Sequence, residues 1–244
     1  MKKTAKWILS SLAISAMLLS TGCAKKPDPT ANDPLEGYNR VMFAFNMDVD
    51  HLVFRPVATV YNTVTPSFVQ TGVTNVFANI DEIPSFPNDF MQGQFKFMLV
   101  DLWRFAINST LGVGGLFDVA KRMGLPPHVA TFGGTLRKWT GKTSPYFIMP
   151  FLGPSTIFNT TGYFADYYMT PWPYLKDQNI NYIAHAVKLV NIRASLLPAD
   201  KMVDTAFDPY IFVRDAYMQR QAARAKGEDV DHGNTAHDLT SPAN

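Results

Sequence analysis

The sequence predicts an all-α fold. Apolar residues recur at helical spacing in several segments, one segment carries a narrow polar stripe on an apolar helix, and prolines punctuate the intervals between them. A chain of 244 residues with 47% hydrophobic residues is long enough for one large domain with a real core.

Tyr38, Met42, Phe45, Val49 and Leu52 step by four and three, which places them on one helix face. Asp33-Pro34 supplies an N-cap and a first-turn proline, and Arg55-Pro56 is expected to end the helix. Shorter helices fit Val57 to Asn62 and Ser67 to Asp81, with Pro66 and Pro84 as boundaries. In Gln94 to Leu111, apolar residues cover most of the circumference while Gln94, Asp101, Arg104 and Asn108 follow at seven, three and four. Such a helix is buried or lies against lipid. A charge at a bilayer centre costs roughly 2.5–3.5 kcal/mol, so Asp101 and Arg104 are expected to point inward, to each other or to a watery path. An intrahelical Asp–Arg pair on a solvated face is the plainer alternative.

Gly112, Gly114 and Gly115 then form a hinge or tight turn, because the third glycine of a dinucleotide fingerprint is replaced by Phe117. From Phe147 to Leu175 the only ionisable acid or base is Asp166, while Pro150, Pro154, Pro171 and Pro173 interrupt the stretch. It is too broken to span a membrane and too charge-poor for a water-facing loop; an inward Asp166 and a lipid-facing remainder satisfy both limits. A soluble aromatic core is the competing reading. Helices are expected from about Asn179 to Leu196 and from Asp208 to Lys226, and residues 227–244, which lack any aromatic, are expected to be disordered.

The N-terminus has the order of a secretory signal over residues 1–22: basic MKKTAKW, an apolar core ILSSLAISAMLLS, then small residues. Cys23, the only cysteine, has no disulfide partner, and Ser20-Thr21-Gly22-Cys23 resembles the lipobox of bacterial lipoproteins. Acylation there would anchor the mature chain, at about 0.8 kcal/mol per buried CH₂. Residues 23–33 are then the lipidated terminus and tether, and Ala24, not aspartate, resembles an outer-membrane sorting signal.

Without Lys2, Lys3 and Lys6, 19 Lys+Arg face 20 Asp+Glu, and no basic stripe with interleaved aromatics supports nucleic-acid binding. Catalysis finds no constellation either. His51, His128, His185, His232 and His237 show no metal-ligand spacing, Gly153-Pro154-Ser155 lacks the final glycine of a nucleophile elbow, and an acylated Cys23 is no nucleophile. Neither a metal nor a cofactor is expected.

Seven blocks in order carry a family resemblance: DPLEGYNRVMFAFN (33–46), RPVATVYNTVTP (55–66), NDFMQG (88–93), RFAINSTLGVGGLFDVA (104–120), FGGTL (132–136), PYFIMPFLGPST (145–156) and DPYIFVRDAYMQR (208–220). Together they resemble the MlaA (VacJ) family. The resemblance implies an MlaA-like helical domain over 34–226: an all-α, ring-shaped lipoprotein with a central amphipathic channel, lodged in the inner leaflet of the outer membrane beside a trimeric porin. It implies that mislocalised phospholipids leave the outer leaflet through the channel to an MlaC-like periplasmic carrier, and thence to an inner-membrane ABC transporter. No covalent chemistry is implied. By motif, gating falls on Met42, Asn46, Met47 and Phe132; Asp101, Arg104, Asn108 and Asp166 are the expected channel-lining residues. A porin-bracing lipoprotein and a membrane-anchored lipid hydrolase are the alternatives.

Overall fold

The structure, a computed structural model, describes residues 33–226. The signal segment, Cys23, the tether before Asp33 and the tail from 227 lie outside the described residues.

Helix α1 (Glu36–Val49) does not stop at Arg55-Pro56 as the sequence suggested. It runs through a π-helical turn, Asp50–Phe54, directly into α2 (Arg55–Val64), with Arg55 at φ −62° and ψ −48°. Pro56 sits in the first turn of α2, and a proline there loses only a bond that a helix start leaves open. Asp33 stands two residues before the N-cap position, Leu35: its carboxylate accepts from the Leu35 N–H at 3.1 Å and from Asn39 Nδ2 at 3.2 Å.

Helix α3 (Ser67–Met91) likewise continues through Pro84 and Pro87. The turns around the prolines are fixed from outside the backbone ladder. Asn88 Nδ2 donates to the Pro84 carbonyl at 2.8 Å, and Ser85 Oγ accepts from the Ala130 N–H at 2.7 Å. Tertiary bonds thus outweigh a local helix-breaking preference.

Helix α4 (Phe95–Thr110) packs along α3, and a glycine-rich turn leads to the short α5 (Val119–Arg122). Helix α6 (Phe132–Thr140) is capped by Thr131 Oγ1 and closed by left-handed Gly141. A hairpin that the helical reading did not anticipate follows: β1 (Tyr146–Met149) pairs antiparallel with β2 (Gly153–Thr156), with Tyr146 opposite Thr156. Then come α7 (Ile157–Met169), α8 (Gln178–Leu196), the short α9 (Asp200–Asp204) and α10 (Pro209–Lys226).

The fold is helical, with the hairpin as its one departure among the described residues. The contacts close a circuit: α2 meets α8, α8 meets α3, α3 meets α7, α7 meets the hairpin, and the hairpin meets α1, which is continuous with α2. This is a ring of elements. Its buried apolar cluster is small and sits at the hairpin, where Tyr146, Ile148 and Tyr210 are flanked by Met42, Phe43 and Tyr217. Ion pairs staple other joints, with Arg193 of α8 reaching Asp50 at 2.6 Å and Asp200 at 2.9 Å.

No described helix is long and apolar enough to cross a membrane.

Candidate functional site

Polarity in this molecule is reversed. Among the described residues, 17 polar or charged side chains are buried against eight apolar ones, the opposite of an ordinary core. Helix α4 shows the pattern on one element: Asp101, Arg104 and Asn108 are buried, while Phe95, Leu99, Leu102 and Trp103 face outward. Helix α7 and its flanks expose Phe151, Leu152, Tyr163, Phe164 and Tyr168. Exposed apolar surface on this scale marks a docking or membrane face.

The buried groups form three polar knots. In the first, Arg104 joins Glu82 of α3 at 2.7 Å and Asp118 at 3.1 Å, and donates to the Leu125 carbonyl at 2.7 Å. Asn108 completes it, donating to Asp118 at 3.0 Å and accepting from the Ala120 N–H at 2.9 Å. Burial, with Asp101 nearby, pushes the Glu82 carboxyl up to about 8 against the pull of Arg104. Asp118 is held below the ordinary aspartate range: desolvation opposes this, but the Lys121 N–H and Arg104 outweigh it. Arg104 therefore does not pair with Asp101 on a solvated face.

In the second knot, Asp166 of α7 accepts from Asn88 at 2.8 Å and from the backbone N–H of Phe132 at 3.1 Å. Thr135 donates to Asn88 at 2.9 Å, so α3, α6 and α7 are tied through one carboxylate. Burial raises Asp166 to about 6, although these two donors favour its charged form. The helices meet closely here because of glycine: a Cβ on Gly162 would stand 2.3 Å from the Gly133 nitrogen.

The third knot holds Asp89, Asp101 and His128. Asp89 Oδ2 is 3.3 Å and Asp101 Oδ2 3.7 Å from His128 Nδ1, and Phe97 stacks on the imidazole at 4.3 Å.

The remaining candidates gather at the hairpin. Asn46 donates to the Met149 carbonyl at 2.9 Å and accepts from the Phe151 N–H at 2.7 Å, which straps the β-turn to α1. Met42 packs on the small apolar cluster beside it. Met47, one residue beyond Asn46, is partly buried and its carbonyl accepts from the Asp50 N–H at the π turn. The structure thus joins Phe132 to Asp166, Arg104 to Asn108, and Met42 to Asn46 by neighbourhood, but not all eight in one pocket.

Two cavities lie against these knots. The larger, about 1120 Å³, runs between the first half of α3 and α8, walled by Phe68, Val73, Phe77, Phe117 and Val187. Arg104, Asp118, Lys121 and Arg122 form its polar end. The smaller, about 260 Å³, is lined by His128, Thr131, Arg137 and Lys138.

An apolar trough with a charged end is a known shape for an amphipathic ligand. Residues 31–224 match the MlaA lipoprotein family. The chain belongs to that family.

It is 34% identical over 235 residues to the Escherichia coli (strain K12) "Intermembrane phospholipid transport system lipoprotein MlaA", covering 91% of this chain and 90% of that one. The protein of the same description from Haemophilus influenzae is 34% identical over 88% of each chain. A solved structure described as "Structural basis for maintenance of bacterial outer membrane lipid asymmetry" matches with a TM-score of 0.70 and 35% identity, covering 80% of this chain and all of that one.

Sequence reasoning about this MlaA family member missed Glu82, Asn88, Asp89, Asp118 and His128. A signal existed for some of them: Asn79, Glu82, Ser85 and Asp89 are spaced by three, three and four, a polar stripe facing that of α4. Taking Pro84 as a boundary cut the stripe in two.

Proposed function

We propose that this chain is an outer-membrane lipoprotein that removes mislocalised phospholipids from the outer leaflet and passes them to a periplasmic carrier, so maintaining lipid asymmetry. The reversed polarity carries the reading: a ring with polar groups inside and aromatic and aliphatic side chains outside is built for a lipid surround, not for water. Its relatives' description as phospholipid-transport lipoproteins supports the substrate. Acyl chains on Cys23 hold the protein in the periplasmic leaflet, and a trimeric porin, an MlaC-like carrier and an ABC transporter are its partners.

The large trough receives acyl chains along Phe68, Val73, Phe77 and Val187, and Lys121 and Arg122 at its polar end attract the phosphate. Met42 with Asn46 and Met47, and Phe132, are the gating positions. Asn46 and Phe132 each sit where a main-chain segment is strapped to a helix, with Met42 and Met47 beside Asn46, so a small shift there moves the hairpin or α6. The lipid is moved without covalent change.

The deciding experiment measures outer-leaflet phospholipid in a deletion strain by acylation of lipopolysaccharide. Wild type should reverse the accumulation; Cys23→Ala and a trough-filling Val76→Trp should not. Normal asymmetry in the deletion strain would favour porin bracing instead.

A further inference from the structure

We infer that Asp89, Asp101 and His128 form a binding site for a divalent transition-metal cation of the zinc class, which ties α3, α4 and the segment before α6 together. Transport does not require this inference, and the site stands apart from the trough.

One carboxylate oxygen from each aspartate and one imidazole nitrogen lie within 4.8 Å of one another. The two distances to His128 Nδ1, 3.3 and 3.7 Å, are near the roughly 3.3 Å edge of a tetrahedron with 2.0 Å bonds. Both aspartate side chains have 0% exposure, and their oxygens have no hydrogen-bond donor beyond the His128 imidazole, whose Nδ1 stands 3.3 and 3.7 Å away. Buried carboxylates normally have their lone pairs engaged, so two fully buried carboxylates converging on one imidazole nitrogen call for a cation.

Charge leads to the same place. Along the α3–α4 seam, Glu82, Asp89, Asp101 and Asp118 face one guanidinium, Arg104, and one imidazole, His128. Arg104 is committed to Glu82 and Asp118, which leaves two aspartates to a single His128. A protonated imidazole balances one of them, whereas a divalent ion balances both with His128 neutral. A nitrogen donor beside two carboxylates suits zinc or manganese better than the all-oxygen sites of calcium or magnesium. Phe97 stacked at 9° fixes the ring plane, and the small cavity on which His128 opens gives an ion its entry and a water its coordination position.

The test uses the full lipoprotein in detergent, stripped with a chelator and titrated with Zn²⁺ alone, with metal content, calorimetry and melting temperature as readouts. A single equivalent should bind, raise the melting temperature, and give an X-ray absorption shell of oxygen with one imidazole nitrogen. Asp101→Asn and His128→Gln should weaken binding by about tenfold or more. Asp101→Asn should be at least as stable as the metal-free wild type, because it removes a buried charge; this separates lost binding from misfolding. No binding by the wild type, or equal binding by both variants, would overturn the proposal.

Discussion

Asp166 receives the Phe132 backbone N–H on both carboxylate oxygens, each at 3.1 Å. The only charge in the aromatic stretch thus holds the first residue of α6, 34 positions upstream. Asp166→Ala would orphan this N–H and the Asn88 amide, a loss of about 1–3 kcal/mol. Chemical denaturation should show it, and Asp166→Asn, which keeps an acceptor, should recover part. Equal losses for the two variants would mean that hydrogen bonding to the carboxyl is not what matters.

The same carboxyl predicts a pH dependence. Its folded value of about 6 lies above the ordinary 3.8, so the fold binds this proton more tightly than the unfolded chain does. The stability this contributes is complete below about 4 and is lost as pH rises through 6; Glu82 continues the trend toward 8. The melting temperature should therefore fall from pH 5 to pH 8, and Asp166→Asn should flatten the lower part of that slope.

Removing Arg104 leaves Glu82, 1% exposed, without its donor, so its carboxyl must stay protonated or carry a buried, uncompensated charge. Arg104→Met should cost about 3–5 kcal/mol, and adding Glu82→Gln should return part of it, because the buried charge goes with its partner. A double variant no more stable than Arg104→Met would place the cost in packing.

At the α6–α7 contact, two glycines predict opposite outcomes. Gly162→Ala puts a methyl against the backbone of Gly133 and should cost about 1–3 kcal/mol. Gly134→Ala, one residue beyond Gly133, meets nothing nearer than 3.6 Å and should be neutral or stabilising by up to about 1 kcal/mol through helix propensity. Thermal melts of the two variants check the pair.

Short-range chemistry wrote most of the helices into the sequence. The 3.6-residue period, Thr131 and Asp177 as caps, and Gly141 as a stop all act within a few residues. The stripe Asp101, Arg104, Asn108 was legible for the same reason, and so was the family, whose seven blocks lie in order along the chain. Tertiary structure decided the rest. Pro56 and Pro84 read as stops, yet the chain passes Pro56 through a π-helical turn and passes Pro84 because a distant group, the Ala130 N–H on Ser85, fixes the turn there. Which residue answers each buried charge depends on contacts 14 to 78 residues away, as Arg104 with Asp118 and Asn88 with Asp166 show. Periodicity defines a helix face without saying which way it points; only the packing of α3, α4 and α7 turned the polar faces inward and left the apolar ones outside, because each buried charge needs a partner and an apolar face can meet lipid.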